Sequence, residues 1–172
     1  MRSLSKFVAV LVIAFAFSAC KKSSTPVPDN TTTTTTMTLT NNGNNISYNS
    51  CDEVSASVND INHTLITGYN LTNGKRGQDS FELDIVHDVA TLKAGQAYPV
   101  GSSLGQVDAV TLFYSPTDST DYNSDNALGS VTISGITATT ITGTFSGKLF
   151  AAGDSEVVVY TVTNGAFTAK RN

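Results

Sequence analysis

From Ile141 to Leu149 the chain alternates: Ile141, Gly143, Phe145, Gly147 and Leu149 share one side. A period of two marks a half-buried strand, because successive side chains of an extended backbone point to opposite faces. Phe81-Glu82-Leu83-Asp84-Ile85 repeats the pattern with acidic residues between the apolar ones. Beyond Met37 no window shows sustained apolar residues at helical spacing. The same region is rich in Thr, Val, Ile, Tyr and Phe and dense in Gly and Asn, which are strand formers punctuated by turn formers.

Taken in order, the pattern predicts strands over 53–58 and 64–71, then a turn at Asn73-Gly74 with a charged tip, Lys75-Arg76. Phe81 to Ile85 should have one dry and one wet face. Gly95 turns the chain into a short extended piece, which Pro99 confines to an edge or a strand end. Ala109 to Tyr114 is apolar on both faces and reads as central. Residues 116–126 read as a polar loop. Strands follow over 130–134, 141–150 and 156–163, with Gly153-Asp154 as a turn and Asn164-Gly165 as a kink before a last piece at 166–169. About 8–10 strands at this spacing predict an all-β antiparallel domain, either a β-sandwich or a small β-barrel. No amphipathic crossover helix is available for a parallel α/β fold.

Ahead of this domain stands a different kind of segment. Arg2 and Lys6 precede an uninterrupted apolar run, Phe7 to Phe17, and the small residues Ser18 and Ala19 lead to Cys20. Charge, apolar run and small-residue cleavage site describe a secretory signal peptide. The run is shorter than the roughly 20 residues of a membrane-spanning helix. Residues 21–36, with Pro26, Pro28 and the threonines Thr31 to Thr36, cannot bury apolar surface and should form an extended, disordered tether. The expected organisation is therefore signal peptide 1–19, Cys20 and linker 20–37, and β-domain 38–172.

Removing residues 1–19 takes away Arg2 and Lys6, which leaves 8 basic against 14 acidic side chains and a net charge of about −6. Such a surface is a poor partner for nucleic acid, which needs clustered basic groups. Only two cysteines are present, Cys20 and Cys51. With Cys20 modified, Cys51 has no partner, so no disulfide framework is expected. Cys51 reads as a buried small hydrophobe rather than a free reactive thiol.

Phe17-Ser18-Ala19-Cys20 resembles the lipobox of bacterial lipoproteins, with Phe17 where that motif usually has leucine. The resemblance implies that Cys20 receives a diacylglyceryl thioether and becomes the first residue after cleavage. Two or three acyl chains hold a protein on a bilayer where one would not. Lys21 and Lys22 follow, without the acidic cluster typical of surface-displayed lipoproteins of Bacteroidota. That points to the outer membrane with the domain facing the periplasm. Further along, Gly129-Ser130-Val131-Thr132-Ile133, Ile141 to Gly147 and Val162-Thr163-Asn164-Gly165-Ala166-Phe167 together resemble a domain of unknown function common in lipoproteins of Bacteroidota. Leu92 to Pro99 is similar to a turn of the same family. The resemblance implies an envelope address and a β-fold and carries no activity. In that family an early Asn-Gly hairpin is common, and Asn59-Asp60-Ile61-Asn62 is the expected substitute.

Candidate chemistry is sparse. Gly101-Ser102-Ser103-Leu104-Gly105 fits the G-x-S-x-G pattern, but no helix is expected after it and no histidine follows His87, so a nucleophile elbow is not supported. Asp121, Asn123 and Asp125 fall at alternate positions of an EF-like loop, with Thr132 where the closing glutamate should stand. A looser Ca²⁺ site would use Asp118, Asp121, Asn123 and Asp125; otherwise no cofactor is expected. Asp118-Ser119-Thr120 resembles an O-glycosylation signal of Bacteroidota, with Ser119 as acceptor. His87 and Asp88 point to opposite faces of a strand and should not form an acid–base pair; His87 is expected at the surface or an edge. Tyr98, Tyr114 and Tyr122 are either half-buried packing or sugar-stacking platforms.

The reading is a non-enzymatic, lipid-anchored envelope domain that binds or supports a protein or glycan partner. The alternative is a small-ligand or glycan binder. A deep cavity would favour a ligand, a flat aromatic face a glycan or protein. A converging set of titratable groups would favour an enzyme, and none is expected.

Overall fold

The structure, a computed structural model, describes residues 33–88, 92–101, 107–117, 119–124, 129–151, 153 and 156–172. These form eleven strands: β1 (Thr36–Asn41), β2 (Asn44–Tyr48), β3 (Ser50–Val58), β4 (Ile61–Thr72), β5 (Lys75–His87), β6 (Ala97–Pro99), β7 (Ala109–Thr117), β8 (Thr120–Asn123), β9 (Ser130–Ile136), β10 (Thr140–Ala151) and β11 (Val158–Arg171). No helix occurs among the described residues. The domain is all-β.

The strands make one continuous sheet in the order β2-β1-β11-β3-β4-β5-β7-β8-β10-β9-β6, and β11 also pairs with β10. That extra pairing closes a ring through β11, β3, β4, β5, β7, β8 and β10. The β11–β3 and β8–β10 pairings divide the sheet into two layers, β3-β4-β5-β7-β8 and β2-β1-β11-β10-β9-β6. Across the layers Phe81 of β5 stacks on Phe145 of β10 at 5.3 Å between ring centroids. Leu112 of β7 comes so close to Gly147 of β10 that a Cβ there would lie 2.5 Å from its Cδ1. The fold is a closed all-β sheet, sandwich- or barrel-like, with the two halves also bridged at Val100 and Val110.

Local chemistry explains the hairpins. Asn42-Gly43, Asn59-Asp60 and Asn73-Gly74 each have positive φ at both residues, as two-residue type I′ turns demand and as Asn, Asp and Gly tolerate. The alternation is obeyed in β10, where Ile141, Gly143, Phe145, Gly147 and Leu149 are all buried. β6, with Pro99, is an edge strand. β7 lies between β5 and β8 and buries Ala109 to Leu112 in succession.

Several expectations change. Eleven strands exceed the expected 8–10, because β1, β2 and β8 were not expected. β1 begins at Thr36, within the segment assigned to the tether, and its Met37 and Leu39 are buried. An Asn-Gly turn stands at Asn42-Gly43 between β1 and β2, in addition to the Asn59-Asp60 turn. Residues 116–126 are not simply a loop, since β8 lies inside them. The kink expected at Asn164-Gly165 is a bulge, where the β10 register steps from Phe145↔Gly165 to Gly147↔Val162. The pieces 156–163 and 166–169 are therefore one strand, and β11 continues to Arg171. Cys51 is a free, buried thiol. Burial and the neighbouring Asp52 push its pKa up to about 12, so it stays protonated and inert.

Candidate functional site

Where β10 begins and β11 ends, the two layers part around a cavity of about 330 Å³. Glu53 and Ser55 of β3, Thr64 of β4 and His87 of β5 line it from one layer. Ile136 of β9, Ile141 of β10 and Arg171 of β11 line it from the other, and Leu92 and Ala94 close it from the β5–β6 connection. Strand period and register place these groups. Glu53 and Ser55 are two residues apart and so share a face. Ser55 pairs with Thr64, and Thr64 with Ile85, two residues before His87.

Each polar group in the wall is engaged. Ser55 Oγ donates to Glu53 Oε1 at 2.6 Å, and Arg171 Nε donates to Glu53 Oε2 at 3.3 Å. Arg171 Nη1 also donates to the Thr137 carbonyl at 3.0 Å. Thr64 Oγ1 and His87 Nε2 share a hydrogen bond of 3.1 Å. The Glu53 side chain is 4% exposed and that of Arg171 35%. A buried carboxylate needs such partners, since losing water without them is costly. Two expectations are corrected here. His87 is buried, not at the surface. Titratable groups do converge, because Glu53, His87 and Arg171 line one cavity. The Glu53–Arg171 pair spans 118 positions in sequence, so no local spacing could announce it.

The outer face of the β3-β4-β5-β7-β8 layer carries a second set of polar pairs. His63 Nδ1 donates to the Asp84 carboxylate at 2.9 and 3.1 Å to its two oxygens. Thr67 donates to Glu82 at 2.9 Å. The Tyr69 hydroxyl donates to Asp52, which raises the phenol pKa, and Arg76 stands 4.6 Å over the Tyr69 ring. Asp84 was expected on a wet face. It is buried at 7% exposure because His63 of the neighbouring strand covers it. A bulge between Tyr69 and Leu71 shifts the register set by the Asn73-Gly74 turn, so His63 pairs with Val86 and lies diagonally across from Asp84.

Of the residues selected for Ca²⁺, Asp121 and Asn123 lie in β8 and share a face of extended chain. Asp121 accepts from Ser115 Oγ at 2.6 Å, and Asn123 is paired with Phe113 and Phe150. Asp118 and Asp125 lie outside the described residues. So do Cys20 and residues 102–105 of the G-x-S-x-G pattern. Among the described residues no three His, Cys, Asp or Glu side chains gather as metal ligands. Ser119 is exposed between β7 and β8.

The three tyrosines considered as sugar platforms pack inward. Tyr98 is fully buried and Tyr114 nearly so. Tyr114, Tyr122 and Tyr160 interlock, with Tyr160 edge-on to Tyr114 at 5.4 Å and to Tyr122 at 4.8 Å. This cluster fills the end of the domain away from the cavity. No protein-family model, no curated protein and no solved structure matches the chain.

Proposed function

We propose that this protein is a lipid-anchored component of the bacterial envelope, held through Cys20 on the periplasmic side of the outer membrane, whose β-domain binds a small molecule in the cavity at the Arg171 end. The cavity carries the reading. It combines apolar walls from Leu92, Ile136 and Ile141 with a few inward polar groups, the composition of a small-ligand site. Its volume is at the small end of the roughly 300–1,000 Å³ that such sites occupy. Binding is favoured over catalysis because the converging groups are engaged with one another: Glu53 with Arg171 and Ser55, and His87 with Thr64.

Two measurements test the two halves of the proposal. Native mass spectrometry of protein extracted from its own membrane should show a small-molecule adduct. Ala94→Trp, which fills the mouth from an exposed position, should abolish that adduct. An adduct indifferent to Ala94→Trp would place binding elsewhere. For the anchor, Cys20→Ser should move the protein from the membrane to the soluble fraction, and retention in the membrane would refute lipidation.

A further inference from the structure

We infer that the cavity selects an electrically neutral, amphipathic small molecule and discriminates against carboxylates and amines of the same shape. The inference rests on the binding reading above. The titratable groups that line the cavity are Glu53, His87 and Arg171. Glu53 and Arg171 form an ion pair, so their charges cancel within the wall. Both Glu53 oxygens are occupied, by Ser55 Oγ at 2.6 Å and Arg171 Nε at 3.3 Å. Arg171 is held from its other side by the Thr137 carbonyl at 3.0 Å.

A ligand carboxylate that reached the remaining N–H groups of the guanidinium would lie beside the Glu53 carboxylate, whose like charge opposes it. Displacing Glu53 instead is costly, because that side chain is 4% exposed and has almost no water to fall back on. A ligand ammonium would find both Glu53 oxygens taken and a like charge, the Arg171 guanidinium, beside it. Pulling Glu53 from its partners is unfavourable, because its carboxylate would be left buried and uncompensated. A neutral ligand disturbs neither partner. Its hydroxyl can donate to the lone pairs of the Ser55 and Thr64 oxygens, while its apolar part lies on Leu92, Ile136 and Ile141.

The test uses three probes of one length, 1-octanol, octanoate and octylammonium, titrated calorimetrically into the full chain carrying Cys20→Ser at pH 8, above the ordinary imidazole range. Ala94→Trp supplies the blank for binding outside the cavity. Octanol should bind at least tenfold more tightly than either ion. Glu53→Gln frees the guanidinium and should shift preference toward octanoate by tenfold or more. Arg171→Gln frees the carboxylate and should shift it toward octylammonium. If either variant fails to fold, the other and the wild-type series still decide. Wild-type protein that binds an ion as tightly as octanol, or variants that leave the order of affinities unchanged, would overturn the charge selection while leaving binding intact. If none of the three shows heat beyond the Ala94→Trp blank and native protein carries no adduct, the binding reading itself falls.

Discussion

The β10–β11 ribbon reaches the opposite layer at both ends, and the two joints are built differently. At one end Lys170 and Arg171 pair with Asp52 and Glu53 in parallel. At the other Phe150 and Ala151 pair with Asn123 and Tyr122 antiparallel. Each joint has only two residue pairs, so backbone hydrogen bonds alone hold neither firmly. Side chains complete them. Tyr114, Tyr122 and Tyr160 fill the second joint with interlocked rings. The first is held by an ion pair and has a cavity beside it. A space-filling joint contributes stability, and an ion-paired one that leaves a void contributes less. The difference marks the end of the domain at which the proposed ligand would sit.

Four results would break or sharpen that comparison. The largest effect is expected from Tyr114→Ala, which removes the hub of the aromatic joint. It should lower stability by about 3–5 kcal/mol, the range for deleting a large buried aromatic side chain, measured by urea unfolding. A loss under about 1 kcal/mol would mean that the rings decorate the joint and do not hold it. Arg171→Ala at the opposite joint should cost less, about 1–2 kcal/mol. Breaking a fully buried pair would cost more, but this guanidinium is partly solvated. Replacing Glu53 and Arg171 together by Met should recover most of that loss, because an apolar pair leaves no stranded charge. A double variant as unstable as the single would show that the arginine acts through packing instead.

The third result is a pH dependence. Cys51 titrates at about 12 in the fold against an ordinary value of 9.0, and Tyr114 at about 12 against 10.0, both raised chiefly by burial. The unfolded chain therefore releases these protons at lower pH than the fold does. Their contribution is intact below pH 9 and is lost as pH rises from 9 through 12. Thermal midpoints should be flat with respect to these groups up to about pH 9 and fall above it, and Tyr114→Phe should soften the fall. The smallest effect concerns Cys51 alone. Its thiol should ignore a disulfide reagent at pH 8 in the folded protein and react at once after denaturation. Reaction in the folded state would mean that the layers open on the timescale of the assay.

Local signals explain what could be read from the chain. The alternation in 141–149 and 81–85, the Asn-Gly and Asn-Asp turns and the edge role of Pro99 depend on neighbours a few residues away, and each is present in the fold. β1 escaped because its threonines continue the tract at Thr31 to Thr35 without a break in composition. β8 escaped because Thr120-Asp121-Tyr122-Asn123 is polar enough to pass for a loop. Cys51 was legible as a buried hydrophobe from its type and its lack of a partner. His87 was misplaced because an imidazole on a strand near a turn gives no sign of the Thr64 hydroxyl that satisfies it in the interior.

The amino-acid order by itself determined most of the strand segments and the apolar side of 81–85 and 141–149, since a period of two is a property of the extended backbone. It could not determine which strand ends meet. Glu53 and Arg171 lie 118 positions apart. Whether they pair depends on how the whole sheet closes, a non-local event whose free energy is set by total burial. The ring closure decided that Glu53 is an ion-paired wall of a cavity rather than one more acidic residue on a strand, and the proposed function depends on that decision.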